Sequence, residues 1–172
     1  MKKKMICLDL QTTGLSYDDE ILQLTILNED GEILFHHYIK PRLLCSWYDA
    51  EEVHGITQEM VRNEKTITMY KEELQKIFDN ADVVIGYNIH YFDSVFLKKA
   101  GLKLDHLQMF DVMEEFAPIF GETSEYFNQY IWQSLETCCK YYGYKLPEGK
   151  KNSLENAKAT LYCFKEMLKN EQ

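Results

Sequence analysis

Short apolar runs, each ended by turn residues, predict the strands of this chain. They cover residues 4–10, 20–28, 32–39, 83–86 and 107–110. Because the second and third runs flank the turn sequence at 28–31, they are typical of a β-hairpin. The run at 83–86 is rich in β-branched residues and predicts a buried strand.

Apolar residues at helical spacing predict the helices. These cover residues 68–80, 88–100, 111–116, 135–142 and a final helix from about 152. Thr57, Asn88 and Asp111 are predicted to cap helices, while Gly101 and Gly143 end them. Residues 41–56 predict two short turns, and residues 117–131 predict a surface excursion. The order of the elements favours a single α/β domain over residues 1–172, with a mixed sheet.

Composition and charge limit the classes of function. The chain has 172 residues, of which 45% are hydrophobic. Its 19 Lys and Arg against 28 Asp and Glu give a net charge of −9. An acidic chain of this kind is a poor non-specific polyanion binder, although metal-dependent nucleases also carry clustered carboxylates. The five cysteines include no CxxC pair, and the N-terminal apolar run stops at Asp9. We therefore expect a cytoplasmic protein without a membrane segment.

Two segments place candidate carboxylates beside secondary-structure ends. Asp9 interrupts the first apolar run, and alternation along a strand places Asp9 and Gln11 on the same face. Asp93 follows the strand at 83–86 and lies in the aromatic sequence Tyr91-Phe92-Asp93. Either acid alone is typical of a turn or a solvated helix surface.

The order and spacing of three motifs resemble the DEDDh exonuclease family. They are DLQTTG from Asp9, IGYNIHYFDSVFL from Ile85 and KNSLENAKAT from Lys151, and the segment EEVHGIT from Glu51 also matches a segment common in the family. The resemblance extends from Ile6 to about Phe164. It implies a ribonuclease H-like exonuclease fold with a mixed five-stranded sheet flanked by helices, as in proofreading exonucleases and ribonuclease T.

The resemblance assigns five catalytic positions. They are Asp9, Gln11, Asp93, Lys151 and Asn156. The family has aspartate, glutamate, aspartate, histidine and aspartate at these positions, so that two of the five match. In the family the carboxylates hold two Mg²⁺ or Mn²⁺ ions and the histidine is the general base.

The three replacements change the charge of the predicted site. The family's four carboxylates and neutral histidine carry −4, whereas Asp9, Asp93 and Lys151 leave −1. A protonated lysine repels a neighbouring cation and cannot act as a base. The resemblance therefore implies weak or absent metal binding at Asp9 and Asp93, and a catalytically dead or severely weakened enzyme. Lysine is not isosteric with histidine, which favours natural divergence over deliberate inactivation.

The predicted substrate-contacting positions match the family pattern better than the catalytic positions do. Thr12, Thr13, Gly14 and Leu15 match the family turn that contacts the terminal nucleotide, and His54, Asn88 and Tyr91 are further predicted contacts. Lys151 is predicted either to contact a phosphate or to pair with Asp9 or Asp93, while core packing is favoured for Phe92.

Three functions follow from this comparison. The first is a non-catalytic protein that binds the 3′ end of single-stranded DNA or RNA. The second is a working 3′–5′ exonuclease with an atypical metal centre. The third is a protein-interaction module that has lost nucleic-acid binding and contacts its partner through residues 117–131.

Overall fold

A computed structural model describes residues 3–170, and its centre is a five-stranded sheet. The strands are β1 (Met5–Thr12), β2 (Ile21–Asn28), β3 (Ile33–Tyr38), β4 (Val83–Gly86) and β5 (Gln108–Asp111). Their spatial order is β3-β2-β1-β4-β5. The first three strands are antiparallel neighbours, whereas β4 runs parallel to both β1 and β5. The predicted mixed sheet is therefore confirmed.

Seven helices occur among the described residues. They are α1 (Tyr48–His54), α2 (Gln58–Val61), α3 (Ile67–Asp79), α4 (Asp93–Lys99), α5 (Val112–Phe120), α6 (Leu135–Tyr142) and α7 (Ser153–Asn170). The side chains of Thr57 and Asp111 accept backbone hydrogen bonds at the starts of α2 and α5, which confirms both predicted caps. Within residues 3–170, none of the helices combines the length and apolarity needed to span a membrane.

Two predicted local structures are wrong. Residues 48–54 form the helix α1, where two short turns were expected. Asn88 does not cap α4, because that helix begins only at Asp93. Asn88 instead lies in the left-handed region with φ 69°, and its carbonyl oxygen accepts a hydrogen bond from the Phe92 amide. The intervening tight turn replaces the predicted first turn of helix.

Alternation along β1 divides its side chains between the two faces of the sheet. Ile6, Leu8 and Leu10 pack into a core with residues of α3 and α4. Cys7 packs into the second core, to which α5, α6 and α7 contribute. Asp9 continues the Cys7 side of the strand, so it faces the layer that contains α7. The sheet therefore presents Asp9 toward the first turns of that helix.

Candidate functional site

The five predicted catalytic positions line one cleft at the end of β1. This cavity has a volume of about 840 Å³. Its walls also include the residues of the predicted substrate turn and His54. Of the predicted site residues, the cleft is lined by Asp9, Gln11, Thr12, Thr13, Gly14, Leu15, His54, Asp93, Lys151 and Asn156.

Asp9 accepts hydrogen bonds from two side-chain amides. Gln11 Nε2 donates to Asp9 Oδ2 at 2.9 Å, and Asn156 Nδ2 donates to the same oxygen at 3.4 Å. Gln11 reaches Asp9 because it lies two residues further along the strand, on the same face. Asn156 reaches it from the first turn of α7, where Thr25 Oγ1 and Ser153 Oγ lie 2.7 Å apart and tie the helix to β2. Both amides occupy positions that hold carboxylates in the resembled family.

Asp93 is positioned by the turn that precedes α4. It is the first residue of that helix and is buried, with 3% exposure. The buried carboxylate of Asp111 accepts hydrogen bonds from the amides of Asn88 at 2.9 Å and His90 at 3.1 Å. Asp111 thereby fixes the turn from β5, and the fixed turn delivers Asp93 to the cleft.

The two aspartates are held where ionisation is unfavourable. Burial raises the pKa of Asp9 to about 7, although hydrogen bonds from Gln11 and Asn156 act in the opposite direction. Burial also raises the pKa of Asp93 well above its usual range, and repulsion from the charge of Asp9 adds to the effect. The site therefore favours a protonated form of this pair near neutral pH.

Lys151 does not pair with either aspartate, as one of its predicted alternatives required. Its Nζ lies 3.5 Å from Glu136 Oε1, and both side chains are about half exposed. The Lys151 amide donates to the carbonyl oxygen of Val53 at 3.1 Å, which joins the segment before α7 to α1. Lys151 still lines the cleft, and its charge lowers the pKa of Asp9.

The donor atoms present do not fit a pair of divalent ions. Asp9 and Asp93 supply two carboxylates, but Gln11 and Asn156 direct N–H groups, not oxygens, toward Asp9 Oδ2. In these orientations the two amides act as hydrogen-bond donors to Asp9 and not as metal ligands beside it. The ammonium group of Lys151 adds repulsion toward any cation.

The predicted substrate turn is tightly organised around Asp19. Thr13 Oγ1 donates to Asp19 Oδ1 at 2.8 Å, and the Ser16 amide donates to Asp19 Oδ2 at 2.8 Å. A Cβ atom on Gly14 would lie 2.5 Å from Asp19 Oδ2, so any other residue here would displace the Asp19 carboxylate. Leu15 follows with 87% exposure and lines the cleft. The turn therefore presents an apolar side chain beside the predicted catalytic positions.

His54 lines the cleft but has no free nitrogen. Its Nδ1 accepts from the Ile56 amide at 3.0 Å, so its Nε2 donates to the Thr12 carbonyl oxygen, also at 3.0 Å. Burial lowers the pKa of His54, which keeps the ring neutral. His54 thus braces the predicted substrate turn, and neither of its ring nitrogens is free to act as a general base. Among residues 3–170 it is the only histidine that lines the cleft.

Asn88 and Tyr91 are not among the residues that line the cleft. Tyr91 is 62% exposed and packs against Trp132, with ring centroids 5.4 Å apart. Phe92 does line the cleft, and it also packs against the first core, as favoured from the sequence. Substrate contacts at Asn88 and Tyr91 remain predictions.

Sequence reasoning missed several residues of the cleft. Tyr48 and Asp49 belong to α1, which was not predicted as a helix. Tyr87 lines the cleft, and its hydroxyl donates to the carbonyl oxygen of Gln133 at 2.8 Å. The spacing of Ser16 and Asp19, three residues apart in a polar turn, was a usable signal for the role of Asp19.

This arrangement defines an exonuclease-type fold, and comparison with known proteins identifies the family. The sequence model of the exonuclease family that includes ribonuclease T matches residues 6–164. The chain therefore belongs to this exonuclease family, whose members generally use divalent metals.

Individual relatives agree with this assignment. The 3′-5′ exonuclease DinG of Bacillus subtilis is 33% identical over 122 residues, which cover 66% of this chain and 13% of DinG. The uncharacterized exonuclease CP81 of Escherichia phage 186 is 27% identical over 165 residues, covering 91% of this chain and 84% of that protein. The structure of E. coli exonuclease I in complex with a dA16 oligonucleotide matches 99% of this chain with a TM-score of 0.78 and 14% identity. This chain spans 42% of exonuclease I, so that likeness concerns the fold.

Proposed function

We propose that this domain binds the 3′ end of a single-stranded nucleic acid in the cleft and hydrolyses it very slowly or not at all. The observation that carries the proposal is the hydrogen bonding of Asp9, whose Oδ2 accepts from Gln11 and Asn156. In an active two-metal site these groups would be metal ligands. Here the amides of Gln11 and Asn156 donate hydrogen bonds to the carboxylate of Asp9.

The lack of a free histidine among the described residues of the cleft supports the same proposal. Lys151 stands at the family's histidine position and pairs with Glu136. Both nitrogens of His54 are engaged. Loss of a general base alone costs about a hundredfold or more in rate, and loss of metal ligands removes further transition-state stabilisation.

The substrate turn supports binding. Leu15 is exposed at the edge of the cleft, and the Asp19 hydrogen bonds hold its loop in one conformation. An apolar side chain in this place offers a contact for the face of a terminal base. Lys151 can leave its exposed ion pair with Glu136 and bind a phosphate group instead, because exposed ion pairs contribute little free energy. The structural likeness to exonuclease I bound to dA16 is consistent with a single-stranded ligand.

The test measures binding and cleavage on the same strand. A 5′-fluorescein dT12 strand should bind in EDTA, with an anisotropy change that weakens as salt is raised. The same strand with a 3′-phosphate should bind less tightly than the strand with a free 3′-hydroxyl group. Gel analysis after incubation with Mg²⁺ or Mn²⁺ should show an intact strand.

Two variants connect the binding to the cleft. Leu15→Ser should weaken binding about three- to tenfold, as expected for loss of a base contact. Leu43→Ser removes a comparably exposed leucine outside the cleft and should leave binding unchanged. Equal effects of the two variants, or no binding at all, would argue for a protein-interaction module.

The second candidate is an active exonuclease with an atypical metal centre, which family membership favours. It predicts metal-dependent shortening of dT12 from the 3′ end that disappears in Asp9→Ala. Such turnover would overturn the proposal of inactivity, while leaving the cleft as the substrate site.

A further inference from the structure

Residues 121–134, here named the aromatic hairpin, form an ordered projection between α5 and α6. The Ser124 amide donates to the Gln129 carbonyl oxygen at 2.8 Å, and the Ile131 amide donates to the Glu122 carbonyl oxygen at 2.8 Å. A bridge between Thr123 and Tyr130 closes the hairpin. These bonds give a defined shape to a segment that the sequence predicted only as a surface excursion.

The hairpin exposes an unusual amount of aromatic surface. Tyr126 is 91% exposed and Phe127 is 76% exposed, while Tyr130 and Trp132 are each 51% exposed. Tyr91 extends the same surface through its contact with Trp132. Exposed apolar groups gathered on one short projection are typical of interaction surfaces, whereas scattered single ones are not.

A groove separates the hairpin from α5. It has a volume of about 570 Å³ and is lined by Glu114, Ala117, Pro118, Gln129, Tyr130 and Trp132. Two aromatic rings and two small apolar residues thus surround one carboxylate. Glu114 Oε2 accepts from His90 Nδ1 at 2.7 Å, which holds the acid in place at the groove.

The segment that forms the groove carries formal charge of a single sign. Residues 112–132 contain four glutamates and no lysine or arginine. A polyanion would be repelled from this surface, because nucleic-acid sites gain their affinity from clustered cations. The same charge attracts a cationic partner.

We propose that this groove binds an arginine or lysine side chain on an apolar segment of another protein. The cation lies over the faces of Tyr130 and Trp132 and pairs with Glu114, while its apolar neighbours cover Ala117 and Pro118. Cations bind aromatic faces favourably, and most strongly that of tryptophan. The surface is separate from the cleft-lining residues, so the domain joins a nucleic-acid cleft to a protein-docking site.

The test uses a blocked hexapeptide of alternating arginine and leucine. The protein has two tryptophans, of which Trp47 is buried with 6% exposure and Trp132 is the exposed one. Saturable binding should therefore change the intrinsic tryptophan fluorescence. A hexapeptide of alternating glutamate and leucine should cause no change.

Matched variants separate the groove from net charge. Glu114→Gln should weaken peptide binding at least fivefold, whereas Glu115→Gln, which removes the same charge from an exposed residue outside the groove, should not. Trp132→Ser should weaken peptide binding similarly. Because this variant lacks the reporting tryptophan, its binding is measured with a fluorescein label on the peptide. Circular dichroism and dT12 binding establish that each variant is folded.

Several outcomes would overturn the proposal. If Glu114→Gln and Glu115→Gln lose the same peptide affinity, the binding depends on net charge and not on the groove. If dT12 displaces the peptide from the unaltered chain, and the groove contact of dT12 is lost in Trp132→Ser, the groove is a nucleic-acid surface. Concentration-dependent dimers in sedimentation that disappear in Trp132→Ser would make the occupant a second copy of the chain. Failure of peptide binding leaves the dT12 result untouched, so the two proposals fail separately.

Discussion

The rim and the floor of the cleft differ in how far they follow the family pattern. The rim keeps Thr12-Thr13-Gly14-Leu15, and Asp19 holds that turn by hydrogen bonds. The floor has aspartates at Asp9 and Asp93 but carries Gln11, Lys151 and Asn156 at the other three predicted catalytic positions. The contrast teaches that a cleft of this fold can hold amides beside a buried carboxylate, because their N–H groups satisfy its hydrogen-bonding capacity.

Restoring the floor should produce the largest effect. The triple variant Gln11→Glu, Lys151→His and Asn156→Asp returns four carboxylates and a neutral base to the cleft. We expect Mn²⁺-dependent shortening of dT12 at least about a hundredfold faster than in the unaltered chain. Adding Asp9→Ala to the triple variant should abolish that activity. If the triple variant folds, binds dT12 and still fails to cleave, the three replacements do not account for the proposed loss of activity.

Distorting the rim should cost stability as well as binding. In Gly14→Ala the new Cβ would lie 2.5 Å from Asp19 Oδ2, so the turn must shift or lose its hydrogen bonds. We expect a loss of about 1–3 kcal/mol in the free energy of unfolding, measured by urea denaturation, and weaker dT12 binding. Gly143→Ala provides a comparison, since that glycine has positive φ but no atom near its Cβ position. Unchanged binding in Gly14→Ala would show that the rim need not be rigid.

The floor should also give the protein a pH-dependent stability. The pKa of Asp9 rises from 3.8 to about 7 on folding. Its favourable contribution is complete below pH 4 and is lost as pH rises through 7, where a buried charge must form. We therefore compare the free energy of unfolding of Asp9→Asn with that of the unaltered chain, in EDTA. The difference should shift in favour of the variant by about 1–3 kcal/mol from pH 5 to pH 8. The same difference in the free energy of unfolding at pH 5 and at pH 8 would contradict this account of Asp9.

The exposed ion pair at the cleft edge should give the smallest effect. Glu136→Gln frees Lys151 from its partner at 3.5 Å and should change the free energy of unfolding by less than about 1 kcal/mol. Binding of dT12 should strengthen about twofold, since Lys151 then has no competing anion. Lys151→Met should reverse the gain when combined with Glu136→Gln. A gain that persists in the double variant would assign it to Glu136 alone.

Much of the fold was predictable because strong local signals agreed. Apolar runs and the turn at 28–31 predicted five strands and the hairpin, and these are present. Helix α1 was not predicted because only the packing of Trp47 and His54 in the interior distinguishes it from turns. Asn88 has the residue type of a helix cap, but the Asp111 carboxylate binds its amide from a distant strand. Such long-range partners have no signal in the local sequence.

The sequence by itself determined the family, the order of the elements and the identities of the five positions in the cleft. Those depend on residue types and spacing, which a chain carries before it folds. Only the tertiary structure decided what these residues do to one another: that two amides share Asp9 Oδ2, and that Lys151 turns to Glu136. It also decided that α5 and the aromatic hairpin enclose a groove. Contacts between residues far apart in sequence depend on packing, and packing sets the distances on which hydrogen bonds and ion pairs depend.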